Sequence, residues 1–460
     1  MNVSLHPAFV PSGSAPAAKP VWCIDADSWP KVRATLPQAA RTFTEASGFQ
    51  PQAGSFLLLP GEGGIAGALL ACDPRDPFLP GKLATLLPAG VWRFASPPAD
   101  QKLAALAFAL GGYRFSRYRA EEEKSKAVLE LPPGVDGAEL SRVVEAVFLV
   151  RDLINTPAND LGPAEIEEAA AGLAKRFGGV MRTVVGDDLL KENFPLVHAV
   201  GKASTRAPRL IDLRWGDAKH PKVALVGKGV VFDTGGLDLK PASGMLLMKK
   251  DMGGAASALG LASMIMDAKL PVHLRVVIPA VENAVSGDAF RPGDVFKSRK
   301  GATVEIGNTD AEGRLILADA LALADEEAPD LIVDFSTLTG AARVALGPEL
   351  PAAFTDDEKL ATELSSFAAR EADPFWRLPL WRPYQSMLDS KIADTNNVSA
   401  SAFAGAITAA LFLSRFVERA KSWLHFDLFA WNSSSRPGRP EGGEAQTIRA
   451  LYAYLQERYR

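Results

Sequence analysis

The fold is read from Val223-Ala224-Leu225-Val226, a short apolar run leading straight into Gly227-Lys228-Gly229-Val230-Val231-Phe232-Asp233-Thr234-Gly235-Gly236. A continuous apolar run without alternation suits a strand buried on both faces. Two similar runs follow, His273 to Ile278 and Leu331 to Phe335. Helical patterns at Ala255 to Ala268 and Leu315 to Ala324 separate them. Short buried strands alternating with helices predict an α/β domain with a largely parallel sheet covered on both faces. In open sheets of this kind ligand sites gather at the carboxyl ends of strands, which is where Lys228 and Asp233 fall.

Working outward, 460 residues allow two large domains or three of roughly 150 residues. Residues 1–20, rich in Pro, Ala and Ser, are expected to form a loose arm. Residues 21–135 mix short strands (Ser55 to Pro60) with helices (Gln101 to Leu110), as a smaller α/β domain does. The charged run Glu121 to Lys126 reads as a solvated turn or helix end. Leu131-Pro132-Pro133-Gly134 is the best linker candidate, because Pro and Gly support neither helix nor sheet ladder. A linker helix is expected over 136–155, its pattern running from Gly137 to Asn155 and stopping before Thr156-Pro157. Residues 156–460 form the larger domain.

Composition excludes several classes. Fifty Lys and Arg against 54 Asp and Glu give a net charge of −4, whereas a general nucleic-acid binder is clearly basic. Cys23 and Cys72 are too few for a thiolate zinc cluster, and their scarcity fits a reducing compartment. The histidines His6, His198, His220, His273 and His425 include no HExxH pair. Met1 to Pro20 lacks the basic start and apolar core of a secretory signal. No apolar run approaches the ~18 residues a membrane helix needs. A cytoplasmic protein without membrane or nucleic-acid partners is the expectation.

Two Gly-rich segments carry the chemistry. The first runs from Val226 through Lys240 to Met248-Lys249-Lys250-Asp251-Met252-Gly253-Gly254; the second is Gly307-Asn308-Thr309-Asp310-Ala311-Glu312-Gly313-Arg314-Leu315. Lys228 is followed by Gly229 and Val230, so the phosphate-binding GK[ST] pattern fails. Asp251 and Asp310 can each be read as a helix cap. Capping does not explain why Asp310 and Glu312 stand beside both a Gly and an Arg. If Asp233, Asp251, Asp310 and Glu312 converge, four like charges need compensation, and two dications supply it. Hard oxygen ligands suit Mn or Mg, with Zn allowed. Lys228 can add a nitrogen donor if burial and positive neighbours leave it neutral, while Lys240 stays charged.

GKGVVFDTGGLDLKP, MKKDMGGAA and NTDAEGRLILADAL resemble the signatures of the leucyl (cytosol) aminopeptidase family. RDLINTPANDLGP at 151–163, STLTGAARVALG at 336–347 and GAITAALFL at 405–413 are similar to it too, so the resemblance covers about 150 to 460. It implies a small N-terminal α/β domain and a larger C-terminal α/β domain with a mixed, mainly parallel sheet flanked by helices. Asp233 and Glu312 would bridge two metals, Lys228 and Asp251 complete one shell, and Asp310 the other. Lys240 and Arg314 would be catalytic, the first stabilising the oxyanion and the second holding a bicarbonate base. Met248, Thr337, Leu338, Gly340 and Phe429 would line the pocket for the first, apolar and leucine-like, side chain. The implied partners are peptides with a free N-terminus and, in a homo-hexamer, further copies of the chain. The implied cofactors are two divalent ions, Mn or Zn and otherwise Mg, with bicarbonate.

The chain departs from that pattern near the pocket. Phe429 stands where a small residue is usual, Val398 to Ala404 replaces a Gly-rich loop, Gly442-Gly443-Glu444-Ala445 is altered, and Lys250 stands where relatives often carry an uncharged or aromatic residue. Trp376, Trp381, Trp423 and Trp431 read as packing or a subunit contact, and His425 as a core histidine. Asp394, Asn396 and Asn397 sit in a polar loop that can pack near the site, with no chemistry assigned to them. Two other classes compete: a DNA- or protein-binding regulator on the same fold, disfavoured because all seven motif residues are present, and a two-metal phosphatase or nuclease, disfavoured by the motif spacing.

Overall fold

Apolar runs buried on both faces build the larger sheet around three parallel strands: Lys222–Gly227 lies between His273–Asn283 and Leu331–Ser336. In the computed structural model residues 5–119 and 126–460 are described; the expected charged run from Glu121 to Ser125 lies outside them. Contacts divide the chain into two units, 1–148 with 432–441, and 149–431 with 442–460.

The smaller unit holds a six-stranded sheet in the order Phe9–Val10, Ala127–Glu130, Gly90–Ser96, Lys19–Ile24, Gly64–Ala71, Phe56–Gly61. Only the last pair is antiparallel. Within residues 5–20 the chain is not the loose arm expected. Phe9 pairs in register with Leu129, and Phe9 and Ala18 are buried. An apolar side chain and an unpaired sheet edge outweigh the local Pro and Ser content. The Pro-Gly stretch at 131–134 is also not where the units divide: the division falls at 148/149, within the helix Gly137–Asn155. The segment 432–441 returns to the smaller unit, with Arg439 Cζ 4.2 Å from the Phe78 ring centroid. No local pattern announces that long-range contact.

The larger unit's sheet runs Trp376–Arg377, Ala352–Phe354, Trp423–Asp427, Leu331–Ser336, Lys222–Gly227, His273–Asn283, Arg209–Trp215, Val180–Val185, with Gly229–Asp233 also on His273–Asn283. It is mixed and mainly parallel; the antiparallel pairs lie towards its edges. Helices Gly253–Asp267 and Glu312–Asp325 pack on the central strands and are buried almost throughout. A helix covered on all sides must be apolar all round, which is why both read as Ala- and Leu-rich. His425 is the core histidine expected: its Nδ1 lies 2.6 Å from Asp334 Oδ1, and Trp423 Nε1 donates to Asp334 Oδ2. Trp376 and Trp381 do not pack inward; they are 60% and 54% exposed. Among the described residues no helix is long and apolar enough to cross a membrane.

Candidate active site

The carboxyl ends of the central strands collect the polar residues. Lys228 sits between Lys222–Gly227 and Gly229–Asp233, and Asp233 closes the second of these strands. Asp251 follows the turn Met248–Lys250, and Glu312 opens the helix Glu312–Asp325 just after Asp310. Oxygens of Asp233, Asp310 and Glu312 lie within 4.8 Å of one another. Lys228 Nζ is 2.7 Å from Asp251 Oδ2 and 2.9 Å from Glu312 Oε1. Lys240 Nζ is 2.7 Å from Asp233 Oδ2 and also contacts Asp310.

The capping alternative does not describe these acids. The two helices have Ala311 and Met252 as N-caps, and neither makes a side-chain cap hydrogen bond. The glycines have local reasons. A Cβ on Gly313 would lie 2.5 Å from Lys228 Cε, so only glycine lets that lysine cross the helix start. Gly235 and Gly236, at φ +89° and +66°, turn the chain back from Asp233 towards Lys240.

Four carboxylates face two ammonium groups here, leaving two negative charges over. Burial, and then the Asp233 charge, pushes Glu312 up to about 8 and Asp310 up to about 6. Burial raises Asp251 as well. Burial opposes the charge on Lys228, yet Asp251, Glu312 and Asp233 hold it above the usual lysine range. Asp233 and Asp310 do the same for Lys240. Among the protein's own charges alone, Lys228 is therefore an ammonium. A neutral amine there needs the additional positive neighbours that dications provide. The donor set fits such ions. Glu312 Oε2 is buried without a hydrogen-bond partner, a situation costing about 1–3 kcal/mol unless something else binds it.

Several supporting residues had escaped the sequence reading. Asn283, at the end of its strand, donates from Nδ2 to Asp233 Oδ1 at 2.8 Å. Thr309 Oγ1 donates to the Gly235 carbonyl at 2.6 Å, and Asp238 Oδ2 accepts from Thr309 N. Asn397 is fully buried. It accepts from Gly307 N at Oδ1 and donates to the Asn308 carbonyl, while Arg314 Nη1 donates to its own carbonyl at 2.6 Å. The Asn308-Thr309 half of the motif gave a signal; Asn397, 89 residues beyond Asn308, stood out only as part of a polar loop near the site, without a role.

Family models match over most of the chain. The cytosol aminopeptidase family, catalytic domain, matches residues 148–452, and the M17 aminopeptidase N-terminal domain matches residues 20–132. The chain belongs to the cytosol aminopeptidase family. It is a metal-dependent aminopeptidase, a hydrolase of peptides, as that family's members are. A probable cytosol aminopeptidase of Chlamydia felis is 40% identical over 361 residues, 75% of this chain and 72% of the relative. A peptidase B of an Enterobacter species is 46% identical over 64% of this chain and 70% of its own length. Among solved structures, the cytosol aminopeptidase of Coxiella burnetii superposes with a TM-score of 0.94 at 47% identity, covering 98% of this chain and all of that one. The bottromycin maturation enzyme BotP, solved in complex with Mn, gives 0.86 at 32% identity over 96% of this chain and all of BotP.

Thr337, one of the residues the resemblance implies for the first side chain, touches the aminopeptidase's carboxylate cluster. Thr337 Oγ1 donates to Asp251 Oδ1 at 2.8 Å, and Leu338 N donates to Asp427 Oδ1. Met248 is buried and Phe429 half-buried. A Cβ on Gly340 would meet Arg343 Nη2 at 3.4 Å. Lys250 is only 1% exposed, and its Nζ lies 4.5 Å from the Phe429 ring centroid. Burial pushes that amine down to about 7, with the Asp251 charge opposing. A desolvated cation over a ring gains roughly 2 kcal/mol, less than the several kcal/mol that burying an ion costs, so the ring alone does not offset the burial.

Proposed function

We propose that this chain releases the N-terminal residue of peptides by water attack at a two-metal centre held by Lys228, Asp233, Asp251, Asp310 and Glu312. The buried, under-compensated carboxylate cluster carries this reading. When bound, a pair of dications, Mn or Zn in preference to Mg, activates water near neutral pH and polarises a carbonyl. The chain's residues do the rest. The substrate's free, neutral N-terminal amine would be held at one of the two ions, a requirement that makes the reaction exopeptidic. Lys240 Nζ, fixed between Asp233 and Asp310, donates to the oxygen on which negative charge develops. None of the converging residues is a histidine. Arg314, buried and with Nε unpartnered, would hold a bicarbonate ion, which would supply a proton carrier between water and the leaving amine. Met248, Thr337, Leu338, Gly340 and Phe429 receive a leucine-like first side chain, with discrimination of about 1–3 kcal/mol per methylene. The working form is a cytoplasmic homo-hexamer.

The test is hydrolysis of leucyl nitroanilide and of a peptide library by chelated enzyme to which Mn, Zn and Mg are returned separately. Restored turnover that N-acetylation of the peptide abolishes is expected. Equal cleavage of acetylated peptides, or hydrolysis of a phosphoester in place of the anilide, overturns the reading. Omitting bicarbonate should lower turnover without changing metal content.

A further inference from the structure

We propose that Thr309 and Asp238 form a polar clamp that sets the aim of Lys240, which makes both of them positioning residues for the reaction. This rests on the aminopeptidase reading, in which Lys240 donates to the developing oxyanion, and adds two residues to which that reading gives no part. Lys240 ends a turn that leaves the strand Gly229–Asp233 and closes where Lys240 N donates to the Thr234 carbonyl at 2.9 Å. Gly235 and Gly236, both at positive φ, give the turn its direction but bring no side chains to hold it. Leu237 and Leu239, on either side of Asp238, are exposed, so burial of apolar surface does little to fix it. What fixes it is polar. Thr309 is fully buried, and its Oγ1 accepts from Asp238 N at 2.9 Å while Asp238 Oδ2 accepts from Thr309 N at 2.7 Å. A hydroxyl has one proton to give. The Gly235 carbonyl, at 2.6 Å, is closer to Thr309 Oγ1 than Asp238 Oδ2 is, at 3.1 Å, and takes it. The packing is as close as the hydrogen bonding: a Cβ on Gly236 would lie 2.9 Å from Thr309 Oγ1.

The same residue reaches both acids between which the ammonium sits. Thr309 precedes Asp310, and its carbonyl accepts at 3.2 Å from Asn283 Nδ2, the amide that also holds Asp233. Lys240 Nζ lies between those two carboxylates. Thr309 therefore ties the turn that carries the donor to the groups that flank it. An oxyanion donor acts only when its proton points at the place where charge develops, and removing one costs about a hundredfold to a thousandfold in kcat. A lysine on an unclamped turn keeps its charge but loses its aim, because its four-carbon stem is flexible. An interaction made only in the transition state is lost from kcat and leaves ground-state binding as it was.

The experiment measures leucyl nitroanilide hydrolysis by Mn-loaded T309V, T309S and D238A. Valine keeps the shape of threonine without its hydroxyl, serine keeps the hydroxyl, and Asp238 is exposed, so its removal leaves the core intact. T309V and D238A should each lower kcat about tenfold or more with KM within about twofold, and T309S should bring kcat back to within about threefold of wild type. Two further readouts separate lost aim from general damage. K240A should lower kcat more than T309V does, and adding T309V to K240A should change kcat by less than about twofold, because the clamp acts only through Lys240. D238A goes through the same cycle, so the test stands even where T309V does not fold. Titration of metal-free T309V with Mn should give an affinity within about twofold of wild type, which keeps the effect apart from the neighbouring Asp310. Wild-type kcat in either T309V or D238A, a loss that persists in full on K240A, no recovery in T309S, or an Mn affinity that falls with kcat overturns the clamp. In each of these outcomes wild-type enzyme still cleaves the anilide. If it does not, or if K240A turns over as fast as wild type, the reading beneath the clamp fails and the clamp with it.

Discussion

Two charged regions of the larger unit make an instructive pair. One is the cluster of Lys228, Asp233, Lys240, Asp251, Asp310 and Glu312. The other lines a cavity of about 260 Å3, where Arg182, Arg214, Arg275 and Arg299 face Glu192, Asp212, Glu326 and Glu327. The cavity's four cations match its four acids. Arg275 holds Asp212 at 2.7 Å and Glu327 at 3.1 Å, Arg214 holds Glu327 at 2.6 Å, Arg299 holds Glu326 at 2.7 Å, and Arg182 holds Glu192. Two glutamates show the consequence. Although burial opposes it, Arg214 and Arg275 hold Glu327 below the usual range, whereas burial and Asp233 lift Glu312 to about 8. A cavity and a crowd of charges do not mark a catalytic centre. Burial together with an imbalance of charge does, because only the imbalance leaves something for a ligand to supply.

The sharpest way to break that contrast is to remove one acid from each region. E312A or D310A should lower kcat for leucyl nitroanilide by about a thousandfold or more, with the far-UV circular dichroism unchanged. D212N, in the balanced region, should leave kcat/KM within about twofold. Comparable losses in both regions would remove the distinction between them.

Titration separates the two glutamates next. Glu312 must lose its proton to hold a metal, and so must Lys228 to be a nitrogen ligand, so the affinity of chelated enzyme for Mn should rise with pH throughout, more steeply below about pH 8 than above it. The same shift acts on folding. A carboxyl raised in the folded state binds a proton that the unfolded chain releases, so Glu312 costs the metal-free protein stability as pH climbs from about 4.5 to about 8. The Tm of wild type relative to E312Q should fall across that window and stay flat above it. Glu327, being lowered, has the opposite sign: its contribution is present above the ordinary glutamate range and is lost as pH falls through its lowered value. A wild-type curve parallel to that of E312Q from pH 5 to 8 would show that Glu312 is not buried as described.

Much of one region was legible in the sequence and almost none of the other. The apolar runs at 223–226, 273–278 and 331–335 became central strands, and the acids following them fell at strand ends, because backbone direction and burial are local consequences of composition. The Gly-rich stretches were informative because glycine marks close approach, as Gly313 does against Lys228. The role of Asn397 and the pairing of Phe9 with Leu129 were missed because each depends on a partner far along the chain, 89 residues away for Asn397 and Asn308. The charge state of Lys228 was legible only as a condition, neutral beside dications, because without them it is set by the sum over three acids, which spacing does not reveal. The arginine network gave no signal at all, since its members are scattered from Arg182 to Glu327 and each alone looks like a surface charge.

Stability measurements sharpen the comparison from the other side. R275M removes the more buried of the two cations that Asp212 and Glu327 share, leaving Arg214, and should cost about 1–3 kcal/mol in urea unfolding.

R182Q should cost less than about 1 kcal/mol, because Arg182 is 68% exposed and water replaces most of what Glu192 provides. The order of these two losses matters more than either value. Inside one network, the same type of ion pair changes from negligible to substantial as its side chains leave solvent, while the charge balance is unchanged. If R182Q proves as costly as R275M, burial is not what grades these pairs, and the argument that burial gives the carboxylate cluster its chemistry loses its independent support.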